Sequence, residues 1–176
     1  IPLALEGRDL IGLAQTGTGK TAAFALPILN QLTGGPHRAR ALILTPTREL
    51  CVQVEENFRK YAERSGLKTL AVYGGVALEP QTKALRKGID IVIATPGRLL
   101  DHIERQNVVF DDLEILVLDE ADRMLDMGFA PQINRVVAEI PKYRQTMLFS
   151  ATMPPEVEAL SRKYLRKPHV VQVGRR

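Results

Sequence analysis

Tryptophan is absent from these 176 residues, aromatic residues make up only 5%, and there is a single cysteine. So few aromatic rings exclude a stacking platform as the main way of holding nucleic-acid bases. A lone Cys51 excludes an internal disulfide and fits a reducing, cytoplasmic setting. It reads best as a small apolar filler near a helix start. His37, His102 and His169 have no cysteine or histidine at ligand spacing, which excludes a zinc site. No apolar run approaches the ~18 residues of a membrane span, and no signal-peptide pattern is visible, so no membrane partner is expected. Charge of one sign is also modest: 24 Lys and Arg against 20 Asp and Glu leave +4. That excess is compatible with a polyanionic partner and does not require one.

What is present is an ordinary globular composition, 45% hydrophobic and 25% charged, in a length that suits one domain. Short apolar runs recur at Leu10–Leu13, Ala41–Leu44, Leu70–Tyr73, Ile91–Ala94, Ile115–Leu118, Met147–Phe149 and Val170–Val173. Amphipathic stretches near 20–32, 48–64, 79–87, 97–105, 130–139 and 155–166 separate them. This alternation predicts an α/β domain with a mostly parallel sheet of about seven strands and helices on both faces. The polar residues gather after the runs: Thr16 to Thr21, Thr45 to Glu49, Thr95 to Arg98, Asp119 to Asp122 and Ser150 to Thr152. All of these fall at the C-terminal ends of the strands, the edge where open α/β sheets bind ligands.

Two of these strand ends carry chemistry. Gly17-Thr18-Gly19-Lys20-Thr21 is a strand-to-helix turn whose glycines let backbone N–H groups wrap an anion. Lys20 can then reach β and γ phosphates, and the Thr21 hydroxyl can ligate Mg²⁺. Ala14 stands where the generic G-x-x-x-x-G-K-[ST] pattern has its first glycine. Asp119 and Glu120 follow the apolar run Ile115–Leu118, where two adjacent acids need a compensating cation. Asp119 suits a phosphate-bound Mg²⁺, and Glu120 can orient or deprotonate an attacking water. The lysine and arginine clusters at Lys83, Arg86 and Lys87 and at Arg162, Lys163, Arg166 and Lys167 read as solvated helix faces.

Asp119-Glu120-Ala121-Asp122 spells D-E-A-D. Together with Ala14–Thr21, Pro46-Thr47-Arg48-Glu49-Leu50, Thr95-Pro96-Gly97-Arg98 and Ser150-Ala151-Thr152, the chain resembles the first RecA-like domain of DEAD-box RNA helicases. The resemblance implies a RecA-like P-loop domain in which Ala14, Gln15, Thr16, Gly17, Thr18, Gly19, Lys20 and Thr21 hold ATP. It implies Mg²⁺ on Thr21 and Asp119, with Glu120, Lys20 and Asp119 as the catalytic group. Pro46, Thr47, Arg48, Gly74, Gly75, Thr95, Pro96, Gly97 and Arg98 look like its RNA-facing residues. Hydroxyls, arginines and helix-start N–H groups of this kind hold sugar-phosphate backbone and ignore base identity. By the same resemblance Asp122, Ser150, Ala151 and Thr152 couple the ATP site to strand separation; on the residues alone, Ser150 and Thr152 serve equally well as caps or turns.

The expected function is the N-terminal ATP-binding domain of an ATP-dependent RNA helicase, with 1–176 as one domain. The upstream segment that recognises adenine in this family and its second RecA-like domain have no counterpart here. An isolated, monomeric domain that is nearly inactive in hydrolysis and unwinding is therefore expected. A DNA translocase on the same core and a catalytically idle RNA-binding scaffold are the competing readings. Asp122 in place of histidine favours RNA over DNA; the intact Lys20 and Glu120 speak against the scaffold.

Overall fold

The structure is a computed structural model that describes residues 2–14 and 20–173. Seven strands form one sheet in the order β3-β4-β2-β5-β6-β1-β7, and every neighbouring pair is parallel. They are β1 (Leu10–Ala14), β2 (Ala41–Leu44), β3 (Thr69–Val72), β4 (Ile91–Ala94), β5 (Ile115–Leu118), β6 (Gln145–Ser150) and β7 (His169–Val173). Among the described residues eight helices accompany them: α1 (Pro2–Leu5), α2 (Lys20–Leu32), α3 (Arg48–Tyr61), α4 (Leu78–Lys87), α5 (Pro96–Glu104), α6 (Ala121–Asp126), α7 (Ala130–Ala138) and α8 (Pro155–Tyr164).

Strand side chains alternate between two faces, and both faces are covered, so the central strands are apolar throughout rather than every second residue. In β2, Ala41 and Ile43 pack with Phe24 and Ile28 of α2 and Val54 and Phe58 of α3. Leu42 and Leu44 pack on the other side with Leu99 of α5, Met124 of α6, Ile133 of α7 and Val157 of α8. Phe24 anchors the first layer, its ring tilted against Phe58 and Phe149 at centroid distances of 5.9 and 5.1 Å.

The expected runs match β2, β4 and β5 residue for residue, and helices occupy each expected stretch. Three differences have physical causes. Strand β6 starts two residues before the apolar run because Gln145 and Thr146 are buried with partners. The Gln145 amide donates to Ala4 O and Arg8 O at 3.0 and 2.9 Å, and Thr146 N donates to Asp9 Oδ1 at 2.8 Å. Ser150 accordingly lies inside β6 as its last residue, not just past it. The short α1 and α6 span four and six residues, too few for a helical period to be read.

The sheet positions the polar residues through a stepwise ladder at its C-terminal edge. One residue beyond each strand, Thr95 N donates to Val72 O, Thr45 N to Ala94 O and Asp119 N to Leu44 O, each at 2.9 Å. Residues that follow three different strands, β2, β4 and β5, are thereby held on one line. Strand β6 lies between β1 and β5, so the end of β1 and the acids after β5 flank Ser150.

Candidate active site and nucleic-acid face

Lys20 opens α2 and is buried, as are Asp119 and Glu120 beyond β5. Lys20 Nζ lies 3.0 Å from Asp119 Oδ1 and 3.9 Å from Glu120 Oε2. Apart from this ion pairing with Lys20, both Asp119 oxygens and Glu120 Oε2 are buried without an aligned hydrogen-bond partner among the described residues. Burial, above all, raises the Asp119 carboxyl above its ordinary range; the Lys20 ammonium opposes this and the Glu120 charge adds to it. Carboxylate oxygens of this kind are hard donors left open, which fits a divalent cation that prefers oxygen. Among the described residues no group of three or more His, Cys, Asp or Glu forms a metal cage. Mg²⁺ in nucleotide sites takes only one or two carboxylates beside phosphates and water, so Asp119 with the half-buried Thr21 is a sufficient protein share. Gln15, Thr16, Gly17, Thr18 and Gly19 lie outside the described residues; Ala14 ends β1.

Glu120 caps α6 with φ 49° and ψ 53°, a left-handed conformation that a side chain adopts at a cost of ~1–3 kcal/mol. This turn lets Asp119 stay in line with the strand while the next carboxylate swings toward Lys20. Two residues on, Asp122 Oδ2 accepts from Thr152 N at 3.2 Å and from Thr152 Oγ1 at 2.9 Å. Ser150 Oγ accepts from Asp122 N at 3.3 Å and donates to Thr152 O at 2.7 Å. The structure thus brings Asp122, Ser150 and Thr152 into one hydrogen-bonded cluster; Ala151 is exposed within its turn.

A second group lies along the same edge beyond β2, β3 and β4. Thr47 caps α3, its hydroxyl accepting from Leu50 N at 3.2 Å, and Pro46 is buried beside it. The exposed Arg48 guanidinium stacks 5.1 Å from the Tyr73 ring centroid. Gly75 has φ +81°, a left-handed conformation that favours glycine; a Cβ there would meet Arg48 Nη1 at an ordinary 3.7 Å, so backbone conformation and not space sets the residue type. Thr95 precedes α5 with its hydroxyl free of any capping bond, and Gly97 is exposed in the first turn. Arg98 differs from expectation in one respect: its guanidinium turns inward, Nη1 donating to Gln81 Oε1 at 3.2 Å and Nη2 to Val76 O at 2.9 Å.

Sequence reasoning passed over Tyr73, Gln81 and Arg123. Arg123 Nη1 lies 3.9 Å from Glu120 Oε1. Gln81 shares the buried face of α4 with Leu85, four residues on, and a polar residue within an apolar stripe was the available signal.

Comparison with known proteins adds an independent finding. The family model described as DEAD/DEAH box helicase matches residues 1–160. The chain is 52% identical to DEAD-box ATP-dependent RNA helicase 30 of Arabidopsis thaliana, over 98% of the chain and 30% of that protein. It is 48% identical to ATP-dependent RNA helicase CshA of Listeria monocytogenes, over 98% of the chain and 33% of that protein. With ATP-dependent RNA helicase DeaD of Mycobacterium tuberculosis it shares 50% identity over 97% of the chain and 31% of the relative. The chain therefore spans about a third of the length of these relatives.

Proposed function

This chain belongs to the DEAD/DEAH box helicase family, and from that premise we propose that it is the ATP-binding, RNA-facing domain of an ATP-dependent RNA helicase. The observation that carries the reading is the buried trio of Lys20, Asp119 and Glu120, brought together from two strands with three carboxylate oxygens that, beyond the ion pair, have no hydrogen-bond partner among the described residues.

Each residue then has a task. The N-terminal end of α2 and Lys20 bind the terminal phosphates, the ammonium exchanging its carboxylate partner for phosphate oxygen. Asp119 and Thr21 would hold a Mg²⁺, which supplies charge neutralisation on the phosphates when bound. Glu120, aimed by its left-handed turn, orients the attacking water and accepts its proton. Asp122 registers the change through Ser150 and Thr152, since both hydroxyls are already committed to it or to its loop. Thr47, Arg48, the Gly74–Gly75 turn, Thr95 and Gly97 hold RNA backbone through hydroxyl, charge and N–H groups, reading no bases. Hydrolysis at full rate needs a second RecA-like domain, because an arginine supplied across such an interface is worth ~10³–10⁵ in rate.

The test is ATP hydrolysis by the full-length protein carrying this domain, titrated with single-stranded RNA and with DNA of matched length. RNA stimulation with little DNA stimulation is expected. Equal stimulation by both would favour a DNA translocase, and no hydrolysis at all would favour an RNA-binding scaffold. No helix among the described residues is long and apolar enough to cross a membrane.

A further inference from the structure

A buried chain of polar groups leads from the Gly74–Gly75 turn into the layer between α4 and α5. Gln81 on α4 and His102 on α5 are both buried. Gln81 Nε2 donates to Tyr73 O at 3.0 Å, while its Oε1 receives Arg98 Nη1 and lies 2.9 Å from His102 Nε2. On the far side of the imidazole, Asn107 Nδ2 is 3.0 Å from His102 Nδ1 and donates to Thr82 Oγ1 at 3.1 Å. Asn107 Oδ1 accepts from Arg86 Nη2 at 3.2 Å.

The partners fix one another's direction. Arg86 and Arg98 can only donate, so Asn107 and Gln81 must present oxygen to them. Asn107 then offers N–H to His102 Nδ1, which has to be the bare acceptor, and His102 Nε2 carries the proton that Gln81 Oε1 accepts. Reversing either amide sets donor against donor. The result is a neutral imidazole locked in one tautomer, and every bond from Arg86 to Tyr73 depends on it. Burial first, and then the Arg98 charge, hold the His102 pKa below its ordinary value.

We propose that Gln81 and His102 are positioning residues for RNA binding: directly at Tyr73 and through Arg98 at Val76, they clamp both ends of the Tyr73–Val76 turn so that its backbone is set before RNA arrives. This rests on the reading of Gly74, Gly75, Arg48 and Thr47 as the RNA-backbone face. The clamp closes on Tyr73 O from Gln81 and on Val76 O from Arg98, leaving the exposed glycines between them as the only free stretch. Arg98, with both terminal nitrogens turned inward, acts on RNA through the turn it holds. A turn ordered in advance spares RNA the cost of ordering it, and affinity rises by that amount.

The experiment compares Gln81→Leu, His102→Phe and His102→Gln in the full-length protein by RNA-dependent ATPase. Gln81→Leu removes all three bonds of the amide; His102→Phe keeps the ring volume and removes both imidazole bonds; His102→Gln retains a donor aimed at Gln81. The first two should raise KM for single-stranded RNA about 5–30-fold, the range for loosening the one or two hydrogen bonds that hold the turn itself. Turnover at saturating RNA and nucleotide affinity should stay within about twofold, and His102→Gln should recover most of the RNA affinity. The dependence of KM on salt should keep its slope, since no phosphate contact is lost, whereas Arg48→Ala should lower that slope by about 1. An unchanged RNA KM in either Gln81→Leu or His102→Phe overturns the proposal. So does a parallel loss of nucleotide affinity in both, which would mark a general folding role. A wild-type ATPase indifferent to RNA would instead overturn the underlying reading of the face itself.

Discussion

Replacing Lys20 with methionine in the nucleotide-free domain should cost about 3–5 kcal/mol of stability, the usual penalty for leaving a buried charge without its partner. The site geometry explains why the cost falls at the high end of what single substitutions do. Coulomb's law at an effective dielectric of ~20 gives about 5.5 kcal/mol of attraction at 3.0 Å and about 4 kcal/mol at 3.9 Å, the distances from Lys20 Nζ to Asp119 and Glu120. Desolvation of the ammonium offsets much of that sum, but it does not vanish when the ammonium does, because two acids remain. Beyond Lys20, Asp119 has no hydrogen-bond partner for either oxygen among the described residues, and burial already raises its pKa. Asp119→Asn removes that strained charge and leaves Lys20 with Glu120, so it should stay within about 1 kcal/mol of wild type. In the Asp119→Asn background Lys20→Met should lose much of its penalty, a coupling of about 2 kcal/mol. Urea unfolding of the four proteins at neutral pH, followed by far-UV circular dichroism, reads all of this. In a thermal scan Lys20→Met should fall by about 6–20 °C, at ~2–4 °C per kcal/mol for this size. A cost for Lys20→Met below about 1 kcal/mol, or strict additivity in the cycle, would refute the picture of a buried cation holding two acids together.

Glu120→Gln should keep nucleotide binding and stop turnover in the full-length protein, while Glu120→Gly should also stop turnover yet gain about 1 kcal/mol of stability by relieving the left-handed backbone; continued hydrolysis by either variant removes Glu120 from its role. Cys51 is fully buried, with its thiol pushed up to about 12, so the folded domain should take up no alkylating reagent at pH 8 and one equivalent in denaturant. His102 has a pKa depressed below the ordinary 6.5, so the unfolded chain binds its proton first, and stability should fall as pH drops below that value. The charges about the ring are Arg98 and Asp101 on α5, Arg105 just past its end and Arg86 on α4, reached through Asn107; α7 brings Arg135, paired with Glu104. Wild type compared with His102→Gln from pH 7.5 to about 5.5 should lose up to about 1.4 kcal/mol, the limit for a ring that takes no proton when folded; parallel curves would contradict the locked tautomer.

Much of this architecture is readable before any coordinates. Ala41–Leu44, Ile91–Ala94 and Ile115–Leu118 are apolar on both faces and break abruptly into polar residues, so their ends are unambiguous. Lys20, Asp119 and Asp122 are legible because phosphate and metal chemistry demands particular residue types at strand ends. Gln145 and Thr146 are not legible as strand, since their polarity is satisfied by groups of α1 and the loop before β1, far away in sequence. Gln81 and His102 escaped for the same reason. His102 stands alone when metal spacing is the question, and its role exists only once α4 and α5 are packed. The inward turn of Arg98 is a further case: an arginine at a strand end looks free for a ligand until its hydrogen-bond partners are seen.

The position of β1 has a consequence for biosynthesis. It is translated well before the strands it pairs with, β6 and β7: Leu10 is in register with Met147 and with His169. At ~5–20 residues per second, translating the stretch from Leu10 to Met147 takes about 7–30 s, during which an apolar strand waits without its partners. Lys20, which follows β1, cannot meet Asp119 in its final place until β6 has slotted between the two strands. A nascent chain therefore offers chaperones a long-lived apolar segment, and nucleotide can stabilise the domain only after nearly all of it has emerged.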